Sequence, residues 1–235
     1  MRYYIVVEGA SGEAKVYPKW IQYTNSQLTQ IYNLNDDRDN VFYLISGNGY
    51  PNYLSIIENA IEDVNNLKNF DLLVVAVDSE DKTYQEKYNE IKEAIDDKLI
   101  YAEFGIIIQH FCLETWALGN RIACRKNTTD TMLLEYKKVY NVRIHDPELL
   151  PSYNDMNRSQ FAFRYLRCMI NDWYPRASYT KSNPEILFNE DYFIQIKKRS
   201  EETNHIQSFR KFIDTFTGNI QVHNAFGGGG GGGGG

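Results

Sequence analysis

The chain has 235 residues, of which 43% are hydrophobic, so it can bury a substantial core and is not disordered as a whole. Its formal net charge of −6 excludes a protein that holds nucleic acid by bulk positive charge, although a local basic patch is compatible with it. The cysteines, Cys112, Cys124 and Cys168, lack a CxxC spacing, which favours a reducing, cytoplasmic location over a zinc site or a disulfide framework.

Four apolar runs alternate with amphipathic segments in the first half of the chain. We predict strands at residues 3–7, 41–45, 71–77 and 103–108, and helices at about 13–31, 53–67 and 82–95. The alternating order predicts an α/β fold with a mostly parallel four-stranded sheet, flanked by helices and joined by right-handed crossovers.

The pattern changes after Gly119. Helical stretches separated by Pro-, Asn- and Asp-rich turns are predicted at residues 131–140, 159–171, 192–199 and 206–216. We therefore predict a core at 1–119 and a C-terminal helical extension or cap at 120–226 that packs on the sheet. The glycine run at 227–235 is interpreted as an artefact or a placeholder. No segment reaches the roughly 18 apolar residues of a membrane span, so no membrane association is expected.

Acidic residues follow two of the predicted strands. Glu8 follows the first strand and Asp78 the third, and the carboxyl ends of parallel strands share one edge of the sheet. Asp78 and Glu80 are two residues apart and can point the same way, and Asp81 can join them if the chain turns sharply. Such carboxylates suit Mg²⁺ or Mn²⁺. The alternative is that Asp78 or Asp81 only caps the following helix.

Two of these segments resemble the signature motifs of the TOPRIM family. The sequence Val6-Val7-Glu8-Gly9, followed by Glu13, is similar to the first motif, and the segment 75–81 is similar to the second, DxD-type motif. Residues 110–118 resemble the segment after the fourth strand of OLD-like and RloB-like TOPRIM proteins, and residues 204–212 resemble the terminal helix of small stand-alone TOPRIM effectors. The resemblance covers about residues 1–120 well, and it departs from the family where Glu80 replaces the second Asp of DxD.

The resemblance implies a Mg²⁺- or Mn²⁺-dependent endonuclease that hydrolyses the phosphodiester bonds of RNA or DNA. The expected metal ligands are Glu8, Asp78, Glu80 and Asp81. The expected catalytic residues are Glu8, Glu13, Asp78, Glu80, Glu114 and Lys181. Glu114 is either a ligand of a second metal or a supporting residue beside the metal ligands, or else it is a surface or capping acid. Lys181 is either a point charge for the scissile phosphate or an ordinary loop lysine.

The expected partners follow from the same resemblance. A small TOPRIM protein without its own ATPase domain is similar to the toxic effectors of bacterial anti-phage defence systems, which a separate ATPase partner controls. Basic and aromatic residues concentrate in the second half and suit nucleic-acid contact. A homodimer through that half is compatible with the sequence. The alternative function is a non-catalytic TOPRIM-like binding or regulatory module within a larger complex.

Overall fold

The computed structural model describes residues 1–49 and 51–219. Its strands are β1 (Arg2–Val7), β2 (Thr29–Ile31), β3 (Val41–Ser46), β4 (Leu72–Asp78) and β5 (Glu103–Gln109). They form one parallel sheet in the order β2-β3-β1-β4-β5. The predicted α/β class and parallel sheet are therefore confirmed.

The middle of the sheet is formed by β1 and β4 because both strands are apolar on both faces, and every residue of each is buried. They pair in register from Tyr3 with Leu72 to Val7 with Ala76. Their carboxyl ends therefore lie side by side, and the residues that follow them meet at one edge of the sheet.

Two layers of helices cover the sheet. One face carries α2 (Asn52–Leu67) and α3 (Tyr84–Ile95), which share a hydrophobic cluster with Tyr4, Val75 and Ile108. The other face carries α1 (Glu13–Thr24), whose buried Trp20 lies in a second cluster. Burial on both faces is what a parallel sheet requires.

In the described part of the second half, five α-helices are added to the α1 face. They are α4 (Leu113–Ala117), α5 (Thr131–Val139), α6 (Arg158–Trp173), α7 (Glu190–Glu202) and α8 (Gln207–Phe216). The Phe209 ring of α8 lies 5.8 Å from Trp20 and 5.4 Å from Trp116, measured between ring centroids. The helical half thus shares one hydrophobic cluster with the sheet.

The prediction of four strands was one strand short. The helix predicted for residues 13–31 ends at Thr24, and Asn25 returns to extended backbone while its N–H still bonds to the Ile21 carbonyl. The last three residues of the predicted helix form β2 instead, which pairs with β3 from Thr29 opposite Val41 to Ile31 opposite Tyr43. A strand of three residues at a sheet edge has too few positions to show an alternating pattern, so the apolar spacing of α1 concealed it.

Within the described ranges, no helix combines the length and apolar character needed to cross a bilayer. The predicted glycine tail at 227–235 and the end of the predicted extension at 220–226 lie outside the described residues.

Candidate active site

Glu8 and Asp78 occupy the adjacent carboxyl ends of β1 and β4. The backbone N–H of Glu8 donates to the Ala76 carbonyl at 3.0 Å, which continues the strand pairing by one residue. The Glu8 carboxylate in turn accepts the backbone N–H of Asp78 at 3.0 Å. Both side chains are buried. The pairing of the two central strands therefore fixes these two carboxylates beside each other.

Glu13, in the first turn of α1, lies directly over Gly9. A Cβ placed on Gly9 would come within 2.0 Å of the Glu13 carboxylate oxygen, closer than any real contact. Gly9 is therefore required for the Glu13 carboxylate to fold back toward the strand ends. Burial is the main cause that raises the pKa of the Glu13 carboxyl, which is partly buried, and the charges of Glu114 and Glu8 raise it further.

Glu114 and Lys181 come from the second half of the fold. Glu114 lies in α4 with only 2% of its surface exposed, and its carboxylate accepts the Tyr179 hydroxyl at 2.8 Å. Two residues beyond Tyr179, the ammonium group of Lys181 is close enough to these acids that Glu114 first, and Asp78 after it, raise its pKa. Lys181 therefore lies within electrostatic range of the carboxylates, although its side chain is exposed.

The four carboxylates of Glu8, Glu13, Asp78 and Glu114 form what we call the acid cluster. Burial raises the pKa of Asp78 well above its ordinary value, and the charges of Glu13, Glu8 and Glu114 raise it further. The pKa of Glu8 is raised mainly by burial, against the opposing effects of the Asp78 N–H and of Lys87. The cluster thus carries more negative charge than its surroundings neutralise.

Glu80 and Asp81 stand differently toward this cluster. Glu80 is exposed in a left-handed conformation with a φ of 50°, and its charge contributes to the raised pKa of Glu8, which places it at the rim. Asp81 is also exposed, and its carboxylate meets the Asn157 amide at 3.4 Å. The structure therefore brings together Glu8, Glu13, Asp78, Glu114 and Lys181, with Glu80 beside them, and turns Asp81 toward α6. Neither Asp78 nor Asp81 caps α3, because Thr83 does so.

Three polar residues of the site were not predicted from the sequence. Gln109 lies opposite Asp78 in the register of β4 and β5, and its amide donates to the Asp78 carboxylate at 2.8 Å. Tyr179 holds Glu114, and the buried Tyr17 hydroxyl has no hydrogen-bond partner within the described residues. The strand pairing would have identified Gln109, since a residue at the end of the strand beside β4 must face the same edge.

The two segments that resembled further TOPRIM elements meet behind the site. The Ser208 hydroxyl of α8 accepts the Trp116 indole N–H at 2.6 Å and the His110 backbone N–H at 3.3 Å. On its other side, the His110 ring nitrogen Nδ1 lies 2.7 Å from the Ser79 hydroxyl, next to Asp78. Burial lowers the pKa of His110 to about 4, so its ring is neutral at physiological pH. These bonds connect α8 to the end of β4.

The donor chemistry of the acid cluster fits a hard divalent cation. Carboxylate oxygens are the ligands that Mg²⁺ and Mn²⁺ prefer, and a cation would offset the charge that raises the pKa of Asp78. No group of three or more His, Cys, Asp or Glu side chains in the described part of the chain is already arranged to hold a metal ion. Binding would therefore require the side chains of Glu13 and Glu114 to rotate toward a cation held first at Asp78 and Glu8.

Fold and site together define an α/β protein with a carboxylate cluster at the carboxyl edge of a parallel sheet. Comparison of the chain with protein-family models, with curated proteins and with solved structures finds no match. The likeness to TOPRIM proteins therefore depends on the motifs of this sequence.

Proposed function

We propose that this protein is a TOPRIM-type endonuclease that uses Mg²⁺ or Mn²⁺ to hydrolyse phosphodiester bonds in RNA or DNA. The observation that supports the proposal is the convergence of Glu8, Glu13, Asp78 and Glu114, with Lys181 near them, at the carboxyl edge of the sheet. Carboxylates in excess of cations suit a metal site, and a lysine among them suits a phosphate.

The residues take distinct roles in this proposal. Glu8 and Asp78 hold the cation, because the strand pairing fixes both. Glu13 and Glu114 complete or support its ligand shell, and Glu80 reaches it from the rim. A bound cation would lower the pKa of a water molecule and stabilise charge on the phosphate oxygens. Lys181 neutralises the scissile phosphate from the side of the helical half.

Asp81 has a smaller role in this proposal than in the sequence-based prediction. Its carboxylate is exposed and directed at Asn157, so it does not contribute a ligand in the arrangement described above. This difference makes Asp81 a useful control, because it is an acid of the same motif outside the acid cluster.

The biological setting is part of the proposal and depends on the resemblance. We infer a cytoplasmic toxic effector of a bacterial anti-phage defence system that is controlled by a partner ATPase, with a homodimer as a compatible assembly. The cysteines at 112, 124 and 168 are unpaired, which suits a reducing compartment.

The test is a cleavage assay with purified full-length protein. Transfer RNA, ribosomal RNA, single-stranded DNA and duplex DNA are each incubated with Mg²⁺, with Mn²⁺ or with a chelator. We expect cleavage of at least one substrate by the wild type, its loss in the chelator, and a loss of at least about a hundredfold in Asp78→Asn and Glu8→Gln. Asp81→Asn is the matched control and should retain activity.

Two results would contradict the proposal. Cleavage that survives in both Asp78→Asn and Glu8→Gln would come from another site or from a contaminant. The second is a wild type that cleaves none of the substrates with either metal. If a complex with its ATPase partner then keeps its full activity with both substitutions, the non-catalytic binding module is favoured.

A further inference from the structure

A groove opens on the outer side of α1, next to the acid cluster. Its cavity measures about 750 Å³ and lies between α1, the edge strand β2 and the segment around residues 182–188. Lys15 and Lys19 line it from α1, and Tyr32 lines it from the residue that follows β2. The groove is therefore built from a helix, a sheet edge and a turn of the helical half.

A single turn separates the groove from the acid cluster and contributes to both. Within this turn the backbone N–H of Asn183 donates to the Thr180 carbonyl at 3.1 Å. Lys181 lies near enough to the carboxylates that their charges raise its pKa, whereas the carbonyl of the next residue, Ser182, accepts the Lys15 ammonium at 2.7 Å on the groove side. A chain that leaves the site past Lys181 would therefore enter the groove.

The groove carries positive charge in an acidic protein. Lys15 and Lys19 are exposed and lie one helical turn apart, about 6 Å along the axis of α1. Glu185 is the acidic member of the lining, so the lysines outnumber it. Two cations at this spacing suit consecutive phosphates of one nucleic-acid strand.

The groove also presents an aromatic ring to solvent. Tyr32 has 83% of its surface exposed, and its hydroxyl donates to Gln30 at 3.1 Å, which positions the ring at the sheet edge. A ring held in this way contributes little to the core. An exposed ring beside a basic track is the arrangement on which unpaired bases stack.

We propose that this groove binds the single-stranded part of a nucleic-acid substrate, with Lys15 and Lys19 on phosphates and Tyr32 stacked on an unpaired base. The inference deepens the proposed function, on which it depends, because it names the substrate as a strand with unstacked bases. A fully paired duplex keeps its bases in the stack and cannot offer one to Tyr32.

The first arm of the test measures binding without cleavage. The full-length Asp78→Asn protein is titrated against fluorescein-labelled 12-nucleotide single strands of RNA and DNA and against their duplexes, and anisotropy is recorded at several salt concentrations. Tyr32→Ala should weaken single-strand binding about tenfold, and Tyr32→Phe should restore it because the ring is retained. Lys15→Ala with Lys19→Ala should lower the slope of affinity against salt by about two.

Matched controls come from the opposite edge of the sheet. Tyr101 is an exposed tyrosine near the start of β5, and its ring lies under the Lys68 ammonium at 4.1 Å. Tyr101→Ala, and Lys68→Ala with Lys98→Ala, change the same residue types away from the groove. They should leave both affinity and salt dependence unchanged.

The second arm measures cleavage by the same variants made in the wild-type background. We expect Tyr32→Ala and the Lys15 and Lys19 double variant to raise KM about tenfold with little change in kcat, because the groove binds substrate away from the reacting bond. Groove variants that behave like the edge controls in both arms would overturn the groove, while cleavage by the wild type would leave the proposed function intact. Equal affinity for duplex and single strand would also overturn it.

A result in which the protein binds nucleic acid without cleaving it would separate the groove from the proposed nuclease function. Single strands that bind through Tyr32 to a protein that cleaves nothing would keep the groove and overturn the nuclease. Absence of both nucleic-acid binding and cleavage would overturn both.

Discussion

Replacing Asp78 with asparagine should stabilise the metal-free protein and remove its response to metal. The substitution keeps the shape of the side chain, and the backbone N–H that donates to Glu8 at 3.0 Å is unaffected. It removes one of four buried or partly buried carboxylates whose mutual repulsion, together with burial, raises the pKa of Asp78. The raised pKa means that the folded state disfavours the charged form, whereas the unfolded chain ionises freely at pH 8.

The expected gain for Asp78→Asn is about 1–2 kcal/mol in the free energy of unfolding at pH 8 without metal. The sign follows from linkage: the penalty of ionising Asp78 begins as the pH rises above its unfolded pKa, so the gain should disappear toward pH 4. Wild-type protein should gain about 3 kcal/mol when Mg²⁺ is present at a hundred times its Kd. For a chain of this size that raises Tm by about 5–10 °C.

Thermal and urea unfolding, followed by circular dichroism with chelator and then with increasing Mg²⁺, measures both effects. Asp81→Asn is the control, since its carboxylate lies outside the acid cluster, and it should respond to Mg²⁺ like the wild type. Two results would refute the reasoning: an Asp78→Asn protein less stable than the wild type in chelator, or a rise of Tm with Mg²⁺ that is as large in Asp78→Asn as in the wild type. The first result would mean that the cluster is already neutralised, and the second that the cation binds elsewhere.

Three further predictions concern single groups. Burial raises the pKa of Glu148 from 4.5 to about 7, so the free energy of unfolding should fall by about 3 kcal/mol between pH 5 and pH 8 as Glu148 ionises. In Glu148→Gln, urea titrations should show a smaller fall over this pH range, and an unchanged pH profile would contradict the prediction. Gly9→Ala should displace the Glu13 carboxylate, which occupies the space that the new Cβ needs, and should lower Mg²⁺ affinity about tenfold or more by calorimetry. The loss of Tm should be small, because the flexible Glu13 side chain can move aside. Tyr179→Phe removes the 2.8 Å bond to Glu114 and should cost about 1 kcal/mol of stability and about tenfold in Mg²⁺ affinity; full affinity would place Glu114 outside the metal site.

The central strands could be predicted from the sequence because their signal is local. Residues 72–77 form a continuous apolar run, and such runs are typical of strands buried on both faces. The positions of Glu8 and Asp78 then follow from parallel pairing, which places both carboxyl ends at one edge. The observed bond from Asp78 to the Glu8 carboxylate is the structural form of that expectation.

The other members of the site depend on contacts distant in the sequence. Lys181 lies more than 100 residues after Asp78, and only the packing of the helical half brings its ammonium to the carboxylates. Tyr179 reaches Glu114 across 65 positions for the same reason. Asp81 could not be assigned either, because the left-handed backbone at Glu80 decides which way the following residues point.

The helical half is therefore part of the site as well as a cover for the sheet. The Tyr179 hydroxyl donates to Glu114, and Lys181 lies near enough for the charge of Glu114 to raise its pKa. The turn that contains Lys181 also forms one wall of the groove. Ser208 joins Trp116 and His110 from behind, so α8 supports the loop that follows β5. Within the first half of the chain, the charge of Lys87 in α3 opposes the raised pKa of Glu8. In the proposed function, Lys181 of the second half adds a further cation at this edge for a substrate phosphate, and one hydrophobic cluster packs both halves of the chain together.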